Sequence, residues 1–275
     1  MADIHATALV DSAAEIADDV SVGPYSIVGP NVVLETGVAI HGHVVVEGHT
    51  RLGAGVQVFP FAAVGTPPQD LKFKGETSWL EVGAGTVIRE HCTLNPGTEG
   101  DQLVTSVGRN CVLMIGAHVA HDCRMADGVI MANQATLAGH VHVGAHAFLG
   151  GLSAIHQFCR IGAGAMIGGM SGVENDVIPY GLVTGNRARL NGLNLVGLKR
   201  RGVAKSDVQK LRAAYEELFH GTDDTFRDRL DRLAENYGDV PIVDDLIRFV
   251  QADSSRSLCQ PQAANQSGNQ AGHGV

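Results

Sequence analysis

The chain is poor in the features that would tie it to a membrane or to an oxidising compartment. No apolar run approaches the ~20 residues that a bilayer-crossing helix needs. The opening stretch from Met1 to Ala13 has neither the basic segment nor the apolar core of a secretory leader. The expectation is a cytoplasmic protein with no integral membrane segment. Cysteine is sparse, at five residues, and is never spaced Cys-x-x-Cys, which removes the common zinc and redox patterns. Aromatic residues make up only 5% of the chain, as suits a core too thin for large rings. Positive charge is in deficit. The 20 Lys and Arg face 29 Asp and Glu, giving a net charge of −9, and this argues against nucleic acid as a partner.

What is abundant is glycine, at 35 of 275 residues, together with a six-residue repeat. An aliphatic residue returns every six positions from Ile4 to Val64 and resumes at Val82, Ile88 and Leu94. After a shift of one it runs from Val107 to Val173, making 26 positions without a polar exception. The residue four places later is small or β-branched, as at Ala8, Val20, Ala62, Ala117 and Ala165. Cys92, Cys111, Cys123 and Cys159 occupy that same slot and read as small core side chains. A period of six is even, so a short strand keeps one face inward in every repeat. On a helix of ~3.6 residues per turn the same stripe would wander around the surface. Short fixed periods mark stacked solenoids. The fold class expected is mainly β: a parallel β-helix with the aliphatic residue inward and Gly or Asn at the corners. The 18 residues between Val64 and Val82, three hexads, fit one turn of a three-sided coil.

Two segments interrupt the pattern, one from about Gly65 to Leu80 and one from about Gly97 to Ser106. Loops that project from a rigid scaffold are natural places for binding. After Val177 the period dissolves. Ser206 and Gln209 read as a capping box ahead of a helix carrying Val208, Leu211, Tyr215, Leu218 and Phe219. A second helix carries Phe226, Leu230, Leu233 and Tyr237, and a third begins near Pro241. The division expected is a β-helix over 1–185, a helical domain over 186–253 that covers the end of the stack, and a disordered polar tail over 254–275, with Cys259 in it.

Histidine is unevenly spread among the 13, and the central repeats hold His118, His121, His140, His142, His146 and His156. An 18-residue coil stacks His121, Gly139 and Gln157 in one column and Asp122 under His140, with His156 beside Gln157. Any one of these histidines alone reads as a solvated corner. Together they make a polar patch about 10 Å tall, and that patch points to chemistry.

The runs MIGAHVAHDC (from Met114), NQATLAGH (from Asn133), IHQFCRIGA (from Ile155), GGMSGV and GLKRRG carry a family resemblance. Together with QDLK in the first loop they resemble the UDP-N-acetylglucosamine O-acyltransferases, which catalyse the first step of lipid A synthesis, over nearly the whole chain. The resemblance implies a left-handed coil, a homotrimer with active sites between subunits, and no cofactor and no metal. Its substrates would be UDP-N-acetylglucosamine and an (R)-3-hydroxyacyl chain on acyl carrier protein.

It also implies roles. His121 is the general base toward the sugar 3-hydroxyl, Asp122 its support, and the Gly139 N–H the oxyanion donor. Gln69, Asp70, His118, His140, His156 and Gln157 hold the nucleotide sugar, and Asn194, Arg200 and Arg201 meet phosphate or uridine. Lys72, Lys199, Arg200, Arg201 and Lys205 form a basic patch suited to an acidic carrier protein. Gly169 matches a position that limits acyl length and leaves room for a longer chain. The chain departs from the family at Asn95-Pro96, where His-Arg is usual, and at Val196, where Glu is usual. These departures admit a 3-amino acceptor as an alternative. A further alternative is a γ-class carbonic anhydrase, with zinc on His118, His121 and His140. A third is a non-catalytic solenoid.

Overall fold

The structure, a computed structural model, describes residues 1–222 and 224–262. Most strands are only two residues long, because each hexad supplies one flat side and then a corner. They stack into three sheets of 11, 9 and 8 strands, here the first, second and third, which form the sides of a parallel β-helix. On the second sheet His118 pairs with Thr136, Thr136 with Ala154 and Ala154 with Gly172, the 18-residue step that the sequence implies. Every repeat aliphatic from Val22 to Val173 is at most 3% exposed. Only the first turn departs, with Ile4 at 42% and no coil beneath it.

Three features of the coil and its first long helix correct the sequence reading. Val64 pairs with Leu94, while Val82 pairs with Leu52. The Val64–Val82 separation thus covers one side of the triangle plus a projecting loop, and is not a complete turn. The corners are not confined to Gly and Asn. Among the described residues, fourteen non-glycine residues take positive φ, including Asp122, His140 and Phe158. Coil-on-coil stacking holds them in a conformation that costs about 1–2 kcal/mol per residue. The expected capping box at Ser206 and Gln209 is absent. The helix there starts after Ala204 with no side-chain cap, and the Ser206 hydroxyl turns to Asp207. A reciprocal box does form at Thr225 and Asp228.

The last coil ends in an antiparallel hairpin, Gly181–Thr184 with Arg189–Leu193. Four helices follow: α1 (Leu195–Arg200), α2 (Lys205–His220), α3 (Phe226–Tyr237) and α4 (Pro241–Gln251). Leu211, Leu218, Leu233, Val243 and Leu246 form their buried seam.

Residues 254–262, the described part of the tail expected to be disordered over 254–275, are tied to the coil. Leu258 bridges to Asp176 and Pro261 to Leu190, and Cys259 is 1% exposed. Backbone bonds pin the segment, from Asp176 N–H to Ser257 O, Cys259 N–H to Asp176 O and Leu190 N–H to Gln260 O, and average composition hides such pairing. Residues 263–275 lie outside the described residues.

All five cysteines are free and buried. Burial pushes the thiols of Cys123 and Cys159 up to about 12 and those of Cys92 and Cys259 up to about 11. Since the thiolate is the reactive species, native protein should show almost no reaction with a thiol-specific chromogenic disulfide. All five should appear after denaturation. A rapidly titrating thiol in the native state would contradict the packing.

Candidate active site

The corner between the second and third sheets carries the polar column. Strand His118–Val119 ends there, the chain turns at His121-Asp122, and strand Arg124–Met125 leaves on the third sheet. One coil further, His140 N–H donates to His121 O at 3.0 Å, and one coil beyond that Phe158 N–H donates to Gly139 O at 3.2 Å. The stacking predicted for 121, 139 and 157 is therefore present in the backbone.

Asp122 is fully buried, and three donors meet its carboxylate. Thr98 N–H gives 2.9 Å to Oδ1, Thr98 Oγ1 gives 2.6 Å to Oδ2, and His121 Nδ1 lies 2.8 Å from Oδ2. Its own N–H donates to Thr105 Oγ1 at 2.7 Å. Burial works against the charge, but the bonds from His121 and Thr98 outweigh it and hold the carboxyl below its ordinary value. An ionised carboxylate only accepts, so His121 Nδ1 is the donor and Nε2 keeps a free lone pair.

That ring lies directly against Gly139. A Cβ built there would sit 2.5 Å from His121 Cε1 and 2.6 Å from Nε2. The Gly139 N–H has no partner among the described residues.

His140 stands edge-on to His121 at 5.1 Å and stacks on Phe158 at 4.5 Å. Its two nitrogens lie 3.8 Å from Asp122 and 3.9 Å from Asp101, and Asp101 also pairs with Arg124. His118 points outward from the second sheet with Nδ1 2.7 Å from Thr93 Oγ1. Burial, and then His121, push its pKa below the usual value. His121, Asp122 and His140 bring ligand atoms within 4.8 Å of one another. The zinc reading would instead use His118, His121 and His140, and His118 turns toward Thr93.

Several other residues singled out in the sequence make no hydrogen bond, ion pair or ring contact with this cluster. Gln69, Asp70 and Lys72 stand on the first loop, where Asp70 accepts from Lys72 N–H at 3.0 Å. Asn194 caps α1, accepting from Gly197 N–H at 2.9 Å and donating to Gly164 O at 3.0 Å. Arg201 rests its guanidinium 5.2 Å above the Tyr180 ring and against Gly164, while Arg200 is exposed. Gly169 lies on another corner, where an added Cβ would meet Gly151 O at 3.3 Å. Asn95 is buried and donates to Thr66 O at 2.9 Å, and Val196 is exposed.

Sequence reasoning missed Thr98, Asp101, Thr105 and Arg256. The first three sit in or beside the second insertion, where the coil arithmetic fails. Arg256 touches His156 and Gln157 from about 100 residues away.

A family profile described as UDP-N-acetylglucosamine O-acyltransferase, domain 2, matches residues 176–259. An acyl-[acyl-carrier-protein]--UDP-N-acetylglucosamine O-acyltransferase of Azorhizobium caulinodans is 56% identical over 258 residues, covering 94% of this chain and 95% of that protein. The crystal structure of the Moraxella catarrhalis UDP-N-acetylglucosamine O-acyltransferase is 37% identical. It superimposes with a TM-score of 0.89 over 94% of this chain and 99% of that one. The Francisella novicida UDP-N-acetylglucosamine acyltransferase, 31% identical, gives a TM-score of 0.91 over 94% and 95%.

Proposed function

Because the chain belongs to the acyl-[acyl-carrier-protein]--UDP-N-acetylglucosamine O-acyltransferase family, which carries out the first step of lipid A biosynthesis, we propose that His121 is its general base. Nε2 takes the proton from the sugar 3-hydroxyl while that oxygen attacks the thioester carbonyl of the (R)-3-hydroxyacyl carrier protein. The Gly139 N–H donates to the oxyanion that forms, without reorganising, as preorganised donors do. Collapse of the tetrahedral intermediate breaks the carbon–sulfur bond, and the proton on His121 passes to the leaving thiolate. No acyl-enzyme forms. Asp122 holds the ring in the reactive tautomer and stabilises its cationic form. The observation that carries this reading is the buried Asp122–His121 pair lying against an unpartnered glycine N–H.

His118, His140, His156 and Gln157 flank that point and hold the nucleotide sugar. Gln69, Asp70 and Lys72 make no hydrogen bond or ion pair with His121, Asp122 or His140 of their own chain, and serve a neighbour's site in a homotrimer. An exposed ladder at the corner between the first and second sheets supports such packing. Tyr25, His43, Phe61 and His91 stack ring on ring there, with Tyr25 60% and Phe61 54% exposed. Arg200 and Arg201 meet the nucleotide phosphates, joined by Asn194. Lys72, Lys199 and Lys205 extend that charge toward the acidic carrier protein. Gly169 leaves space for the acyl tail. The enzyme works in the cytoplasm, and the proton moves on His121 alone.

The test is transfer by purified protein, without added metal, from (R)-3-hydroxyacyl carrier proteins of several lengths. The acceptors are UDP-N-acetylglucosamine and its 3-amino analogue. Ester formation on the natural sugar nucleotide is the expected product. Amide formation alone would reassign the acceptor to an amine and give Asn95 and Val196 a role. No transfer with any pair would remove the reading.

A further inference from the structure

We propose that Arg256 is a positioning residue for the sugar-nucleotide site. It fixes His156 in the tautomer that carries hydrogen on Nε2, so that this nitrogen faces the ligand as a donor. The inference rests on the reading of His156 and Gln157 as nucleotide-sugar residues given above.

Arg256 belongs to the segment that returns to the coil after α4. Its neighbours are anchored, since Asp176 N–H donates to Ser257 O at 2.8 Å and Cys259 N–H donates to Asp176 O at 2.7 Å. The Asp176 carboxylate is itself buried and held by Arg160 through its N–H and Nε, both at 2.7 Å. The segment is therefore tied to the coil one residue beyond Arg256. From there Arg256 Nη2 reaches His156 Nδ1 at 2.7 Å, and Nε donates to Gln157 O at 3.1 Å.

The chemistry of these atoms leaves one assignment. A guanidinium has five donors and no acceptor, so a nitrogen bonded to it must be the acceptor. His156 Nδ1 is thus bare, and a neutral ring carries its hydrogen on Nε2. The alternative partner of Nδ1 is Gln157 O at 3.3 Å. A carbonyl only accepts, so that bond demands hydrogen on Nδ1 and leaves Nε2 as an acceptor. Arg256 caps both the imidazole nitrogen and the competing carbonyl. Removing it would convert Nε2 from donor to acceptor. A sugar nucleotide is rich in phosphate, hydroxyl and carbonyl oxygens, and a donor at Nε2 suits them. An acceptor there would repel the phosphates.

The experiment uses the full-length enzyme and four variants: R256M, R256K, H156A and the R256M/H156A double. Methionine matches much of the arginine stem and carries no N–H donor. Two-bond nitrogen–proton NMR of the ligand-free protein, at a pH where the ring is neutral, reads the His156 tautomer. H156A assigns the signal. Hydrogen on Nε2 in the parent and on Nδ1 in R256M is expected; an unchanged pattern overturns the proposal. Kinetically, R256M should raise the KM for UDP-N-acetylglucosamine about tenfold, with kcat and the KM for acyl carrier protein within about twofold. R256K should recover part of the loss, because it keeps a donor toward Nδ1. A merely structural segment would show the opposite: a lowered melting temperature and no selective change in KM. H156A should match R256M, and the double variant should add little. If H156A raises that KM and R256M does not, the role of Arg256 fails alone. If H156A leaves the KM unchanged, the nucleotide-site reading falls and takes this proposal with it, whatever the tautomer.

Discussion

Replacing His121 by Ala should cut kcat by about 10²–10⁴-fold, the range a positioned general base contributes, while the coil stays folded. The side chain is 15% exposed, and its loss opens space beside Gly139 without removing a core aliphatic residue. Asp122 then keeps its two bonds from Thr98 and its backbone bond to Thr105, so circular dichroism should be preserved with only a modest drop in melting temperature. H121Q separates proton transfer from packing, since an amide fills much of the volume and cannot act as a base. Both variants should retain near-parental KM values. A kcat within about threefold of the parent in either would dismiss His121 as the base. The support of the pair has a defined pH range. Asp122 is held below its ordinary carboxyl value of 3.8, so its stabilising effect is fully present above that value. It is lost as pH falls through the lower folded value. The hydrogen bond from His121 to an ionised Asp122 therefore persists throughout the neutral range in which the base must work.

Most of this site was legible because the fold is periodic. In a β-helix a fixed increment in sequence is a fixed displacement in space, so His121, Gly139 and Gln157 could be stacked by counting. The hydrogen bonds between successive corners follow that count. The same arithmetic located the inward aliphatics and the four buried cysteines of the repeat. It stops wherever a loop leaves the coil. Thr98 and Asp101 complete the surroundings of Asp122 and His140 from the second insertion, whose length no period constrains. The first insertion misled the count for the same reason, since a multiple of the period hid a loop as if it were a turn. Local signals were weaker still. Ser206 and Gln209 have the spacing of a capping box, yet the helix starts without side-chain help because tertiary packing of Leu211, Tyr215 and Leu218 suffices. Arg256 lay in a stretch that composition assigns to disorder, and only Leu258 and Cys259 betray that it is anchored.

Gly139 offers the sharpest separation of geometry from folding. It does not take a positive φ, so alanine is compatible with its backbone and the coil should accept the substitution. The cost falls elsewhere. A Cβ at 2.5 Å from Cε1 and 2.6 Å from Nε2 of His121 is closer than any real contact, and the imidazole must move. It cannot move freely, because its Nδ1 is bonded to Asp122 at 2.8 Å and Asp122 is fixed from below by Thr98 and Thr105. G139A therefore either breaks the His–Asp bond or tilts the lone pair of Nε2 away from the acceptor hydroxyl. It also places a methyl group where the developing oxyanion meets the N–H. Misplacement by about 1 Å or loss of one oxyanion donor each costs about 10²-fold or more, so kcat should fall by about 10²–10³-fold at little cost in melting temperature. Because both residues act on the same event, G139A combined with H121A should be scarcely slower than H121A alone. A G139A enzyme of parental kcat would mean that the close approach of His121 to residue 139 takes no part in the transfer.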